Sequence, residues 1–228
     1  RGKFFIQFYT VFVVKFKFLP YLDLKNDKFR CIIMTTAGCK NIFTCEKTFF
    51  TCGKNKEKRE KMNIINGVCV CRDYAEMSRL AADVFSDYVR ENPKGVLGLA
   101  TGSTPIGIYE CLVADYKAGK LDFSEITSYN LDEYYPIEPT HEQSYRRFMN
   151  ENLFDFVNID KAKTFVPDGK CEDPAAFCAD YDKRIAAAGG IGVQLLGVGR
   201  NGHIGFNEPA DALIGGTHLA DLTDSTID

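Results

Sequence analysis

The chain has 228 residues, 45% of them hydrophobic and 26% charged, which is ample for a buried core in one α/β domain or two small ones. Its net charge of −3 hides an asymmetry: residues 1–61 hold 14 Lys and Arg against 5 Asp and Glu, whereas residues 62–228 hold 14 against 26. An acidic body of this kind argues against a nucleic-acid partner, and a small anionic ligand would need a locally positive loop.

Residues 1–61 read differently from the rest. They hold 10 of the 18 phenylalanines and close on the charge run GKNKEKREK. The apolar run FFIQFYTVFVV spans 11 residues before Lys15, too short to cross a bilayer. No small-residue cleavage site follows it, so a secretory signal is not expected either. The expectation is a basic, Phe/Lys-rich extension that is non-native or disordered, with Met62 as the natural start of an α/β domain over residues 62–228. The nine cysteines are odd in number and irregular in spacing, which speaks against a disulfide framework and for a reducing compartment.

From Met62 onward strands and helices alternate. GVCVC reads as a strand. DYAEMSRLAADVFSDYVRENP places Met77, Leu80, Ala81, Val84 and Tyr88 on one helical face, with Asp73 as N-cap and Pro93 past the end. GVLGLA suits a buried parallel strand, and IGIYECLVADYKAG a helix stopped at Gly119. ITSYNL is a strand followed by the turn residues DEYY; HEQSYRRFMNENLF and DPAAFCADYDKRIAAAGG are helices, the second with Pro174 in its first turn; IGVQLLGVG is the last clear strand. The succession predicts an open, Rossmann-like parallel sheet with helices on both faces.

Three loops follow strands, where open α/β sheets keep their ligands. ATGSTP joins a strand to a helix for which Thr104 is the expected N-cap and Pro105 the first residue; its free N–H groups and hydroxyls suit a phosphate, although a plain capped turn reads nearly as well. YNLDEYY puts Asp132 and Glu133 directly after a strand, where either could act as a general base or simply face solvent. In GVGRNGHIGFNEP, Gly197, Gly199 and Gly202 let the backbone turn tightly beside His203, which moves protons near neutral pH; Glu208 on the same bend can orient the ring. His141 and His218 read as structural or exposed.

Together LGLATGSTP, YNLDEYY and GVGRNGHIGFNEP resemble the glucosamine-6-phosphate deaminase family, and the resemblance runs from about Met62 to Asp228. It implies an enzyme of amino-sugar catabolism in the cytoplasm that converts glucosamine 6-phosphate and water to fructose 6-phosphate and ammonium, without a metal or organic cofactor. By the same resemblance Asp132 is the base that moves a proton between C2 and C1, and His203 opens the pyranose ring with help from Glu208 and Asn201. Thr101, Gly102, Ser103 and Thr104 form the phosphate side. The implied partner is a small amino-sugar phosphate, with no nucleic acid or membrane, and a homo-oligomeric full-length protein is compatible with it.

Some family members carry Asp where this chain has Asn201, which leaves Glu208 as the ionic partner of the histidine. The family also continues well beyond LADLTDSTID, through further strands and the basic residues that grip phosphate. The fold is therefore expected to be incomplete at the C-terminus, and the 228-residue chain itself to be a poor catalyst. The nearest alternative is a 6-phosphogluconolactonase-like hydrolase of the same fold, which carries a Ser-Leu-Phe-Pro-like ending where this chain has GFNEP. A non-catalytic sugar-phosphate-sensing domain is the other, and it would need neither Asp132 nor His203.

Overall fold

The computed structural model describes residues 3–6, 30–35, 42–44, 64–65, 68–198, 203–208 and 214–221. Eleven strands are found among them: β1 (Lys3–Ile6), β2 (Arg30–Thr35), β3 (Ile42–Thr44), β4 (Ile64–Ile65), β5 (Val68–Val70), β6 (Val96–Leu99), β7 (Thr127–Asn130), β8 (Asp132–Tyr135), β9 (Thr164–Phe165), β10 (Val193–Val198) and β11 (His218–Asp221). The α-helices are α1 (Tyr74–Glu91), α2 (Ile106–Lys117), α3 (Tyr145–Met149) and α4 (Pro174–Ala187); α3 runs on into a π-helical turn, Asn150–Phe154.

Eight strands form the main sheet in the order β4-β5-β3-β2-β10-β6-β7-β9. The run from β2 to β9 is parallel, as the strand–helix alternation predicts. The other flank is antiparallel: β3 pairs against β2 and β5, and β4 against β5. A second sheet sets β1 between β11 and β8, antiparallel to both. Three of these strands, β1 to β3, come from the basic segment 1–61, and β2 lies in register with β10 along six residues.

Local signals set the helix ends. The Asp73 carboxylate accepts from the Glu76 N–H at 2.8 Å and starts α1. Asp173 accepts from the N–H groups of Ala175 and Ala176 and starts α4, with Pro174 in its first turn. Gly119, at φ +69°, ends the α2 region in a conformation that costs other residues a Cβ clash. The third helix departs from expectation: its α-helical part begins at Tyr145, because Ser144 is the cap and HEQ lies in the turn before it.

Helices cover both faces. Leu97 and Leu99 of β6 pack with Met77, Ala81 and Phe85 of α1, Ile108, Tyr109 and Leu112 of α2, and Met149 of α3. On the opposite face Val96 and Tyr129 pack with Tyr181 and Ile185 of α4 and with Ile191. Each fully buried Leu, Phe or Met contributes about 1.5–3 kcal/mol by leaving water. This rigid double layer holds the strand ends that carry the site.

Candidate active site

The strands β6, β7 and β10 are neighbours and parallel, so their carboxyl ends share one edge. From β6 the chain steps outward to β7 and β9, and α4 then carries it back to β10 on the other side of β6. The direction of winding thus reverses between β6 and β10, the place where open α/β sheets bind their ligands. All three loops singled out in the sequence emerge there.

The first is ATGSTP. Gly102 sits at φ +107° with open space where a Cβ would be, and Gly102 and Ser103 are exposed. The helix behind them begins one residue later than the sequence suggests. Pro105 occupies the cap position, with no side-chain cap bond, and its carbonyl accepts from Ile108 and Tyr109. The role expected of Thr104 passes to Tyr74 of α1: its hydroxyl accepts from the Gly107 N–H at 2.8 Å and reaches the carbonyls of Ser103 and Thr104. The loop is thereby tied to α1.

The second loop separates the two acidic residues that the sequence left equivalent. DEYY is itself a strand, paired with β1, and not the solvated turn that was the alternative. Glu133 is 1% exposed and spent on structure. Its carboxylate accepts from the Ser144 hydroxyl at 2.8 Å, from the N–H groups of Tyr145 and Arg146 at 2.9 and 3.0 Å, and from its neighbour Tyr134 at 2.9 Å. Three of these four donors lie at the start of α3, so the carboxylate anchors that helix to β8. Asp132 is the opposite case. It is 7% exposed, and its Oδ1 is buried without a hydrogen-bond partner among the described residues. Burial first, and the charge of Glu133 second, push its carboxyl from 3.8 up to about 8.

The third loop reaches Asp132 through its backbone. Ile204 and Asn207 exchange N–H···O bonds of 3.2 and 3.1 Å, closing a tight turn with His203 and Glu208 at its two feet. Gly205 sits at φ +59°, and a Cβ on it would lie 3.0 Å from Leu131 Cδ2 and 3.7 Å from Asp132 Oδ2. The left-handed backbone favours glycine there, and any larger residue would also press on the Leu131 methyl. The Phe206 ring stacks on Tyr145 at 6.0 Å and leans on Tyr134 at 5.9 Å, and those two tyrosines are 4.9 Å apart. Burial, aided by the charges of Asp132 and Tyr134, pushes the Tyr145 hydroxyl well above its usual range. Tyr145 therefore stays protonated; its hydroxyl donates to that of Tyr134 at 3.4 Å, and it links the second loop to the third.

Residues 74–206, more than half of the chain, match the family model of glucosamine-6-phosphate isomerases/6-phosphogluconolactonase. The chain belongs to this family. The glucosamine-6-phosphate deaminase of Clostridium perfringens strain 13 is 55% identical over 159 residues, which make up 70% of this chain and 66% of that protein. Its counterpart in Cellvibrio japonicus is 52% identical over 161 residues, 71% of this chain and 61% of that one. The chain thus spans a little under two thirds of these relatives. Among solved structures, a monomeric glucosamine-6-phosphate deaminase matches with a TM-score of 0.67 and 40% identity, covering 68% of this chain and 65% of that one. The 6-phosphogluconolactonase of Plasmodium vivax shares the fold, with a TM-score of 0.54 at 21% identity over 67% of this chain and 56% of its own.

Within this family member, the residues expected at the site divide in three ways. Asp132 is approached by the turn bearing His203 and Glu208 at Gly205, and that turn packs through Phe206 on Tyr145 and Tyr134. Gly102, Ser103 and Thr104 line the outer side of the first loop. Asn201 lies outside the described residues. Tyr145 and Phe206 were missed by sequence reasoning, since an aromatic residue in a helix or beside a glycine reads as ordinary packing. No local pattern links either of them to Asp132.

Proposed function

We propose that the intact protein is a glucosamine-6-phosphate deaminase, converting glucosamine 6-phosphate and water to fructose 6-phosphate and ammonium in amino-sugar catabolism. The observation that carries this reading is Asp132: a buried carboxyl raised to about 8, one oxygen without a partner among the described residues, just past the carboxyl end of β7. A base poised near neutral pH is what proton abstraction next to a carbonyl needs. Relatives at 50–55% identity carry the deaminase name, which supports the same choice.

In this reading His203, assisted by Glu208 and Asn201, moves the proton that opens the pyranose ring. The exposed C1 aldehyde then acidifies the C2 hydrogen. Asp132 takes that proton and returns it to C1 while a proton from the amine passes to O1, which leaves an imine at C2. Water adds to the imine carbon, ammonium departs, and the C2 ketone of fructose 6-phosphate remains. Thr101, Gly102, Ser103 and Thr104 face the phosphate, where backbone N–H groups and hydroxyls supply donors. The C1 carbonyl supplies the electron sink, so the steps call for no metal or organic cofactor. A cytoplasmic setting and a homo-oligomeric full-length protein belong to the same proposal; among the described residues no helix is long and apolar enough to cross a membrane.

The test uses the chain extended to the length of its relatives, assayed for ammonium with glucosamine 6-phosphate and for acid release with 6-phosphogluconolactone. Ammonium formed in step with fructose 6-phosphate supports the deaminase. Lactone hydrolysis without ammonium would assign the protein to the other branch of the family.

A further inference from the structure

The Glu133 clamp has more in it than a helix cap. Its carboxylate binds the side chain of Ser144 and the first N–H groups of α3, so it joins β8 to the helix start. The first residue of that helix is Tyr145, whose ring stacks on Phe206 and whose hydroxyl donates to that of Tyr134. The residue before Glu133 on its strand is Asp132. One buried carboxylate therefore holds, on either side of itself, the base and the aromatic residue that joins the second loop to the third.

We propose that Glu133 is a positioning residue for Asp132: it anchors the strand that presents the base and keeps a fixed negative charge beside it. The assignment rests on the deaminase reading for its catalytic consequence, but the coupling between the two carboxyls exists without substrate. Other titratable groups lie around Asp132. Tyr145 of α3, Tyr109 of α2 and Tyr181 of α4 are all kept protonated by burial. The 203–208 turn carries His203 and the carboxylate Glu208 at its two feet. Glu133 is the neighbouring carboxylate whose charge raises Asp132, and removing that charge makes ionisation easier.

The variant is Glu133→Gln in the chain extended to family length. The Asp132 carboxyl is titrated by carbon NMR in the ligand-free protein, identified by its loss in Asp132→Asn, alongside the pH dependence of kcat for ammonium release. Expected is a fall of on the order of one unit in the Asp132 pKa and in the acidic limb of kcat. A weaker base should also lower the plateau roughly three- to tenfold, with KM within about twofold. Ser144→Ala separates charge from scaffold: it keeps the Glu133 charge, so the limb should stay in place while kcat falls and the melting temperature drops. An unmoved Asp132 titration in Glu133→Gln would overturn the assignment. If Glu133→Gln does not fold, Ser144→Ala with unchanged kcat and KM at a lowered melting temperature overturns it as well. A wild-type protein that releases no ammonium would sink the deaminase reading, and the ligand-free titration would still decide the coupling.

Discussion

Replacing Asp132 with Asn should stabilise the protein, and should do so more at high pH than at low pH. The carboxyl is raised from 3.8 to about 8 in the folded state by burial and by Glu133. An acid with a raised folded pKa binds more protons folded than unfolded between those two values. Stability therefore falls as pH climbs through that window, by about 1.4 kcal/mol per unit from this group. From about pH 5 to about pH 7.5 the wild-type loss reaches about 3 kcal/mol, and Asn, which does not titrate, escapes it. The amide is nearly isosteric, so packing changes little. The assay is urea unfolding of both proteins at the two pH values, taking the difference of differences so that every other titrating group cancels. A gap of about 2–4 kcal/mol in favour of Asp132→Asn that opens between the low and the high pH is expected. A gap unchanged with pH would mean that Asp132 titrates normally and that the basis for calling it a poised base is wrong.

Other outcomes follow from the same geometry. Gly205→Ala should cost about 1–3 kcal/mol, because it places a Cβ 3.0 Å from Leu131 Cδ2 at φ +59°, and chemical denaturation measures it. Tyr145→Phe keeps the stack on Phe206 and loses the hydroxyl bond to Tyr134, so stability should fall by about 0.5–1.5 kcal/mol in chemical denaturation. Unchanged stability would show that this bond contributes nothing to the clamp. Removing residues 1–61 should leave α1 to α4 and the β6–β7–β9 pairing in place, as the charge break at residue 61 and a family match that starts at residue 74 both suggest. Loss of the helical circular-dichroism signal would show instead that β2 alongside β10 is required.

How much of this was legible in the sequence depended on how local each signal is. Asp73 with Glu76, and Asp173 with Pro174, mark helix starts within three residues, and the chain reads them correctly. The start of α3 was hidden because its cap closes on Glu133, 11 residues before Ser144. The strand character of DEYY was hidden because its partner is β1, at the other end of the numbering. At Thr104 the expected cap was displaced by Tyr74, a side chain about thirty residues earlier. For the site, the glycine turn and the acidic pair stood out, since only certain residue types tolerate those backbones and strand ends. Which carboxylate was the base did not stand out: Asp132 and Glu133 differ only in which way the strand turns them. One meets four donors, and the other has an oxygen without a partner among the described residues.

The most direct measurement follows the proton itself. Glucosamine 6-phosphate carrying deuterium at C2 is turned over by the family-length protein and by its Asp132→Asn variant. The wild type should slow on the labelled substrate and return part of the label to C1 of fructose 6-phosphate. The variant, folded and at least as stable, should bind the sugar within about threefold of wild type while its turnover falls about 10²–10⁴-fold. Near-native turnover by Asp132→Asn, with the isotope effect intact, would show that another group moves the C2 proton.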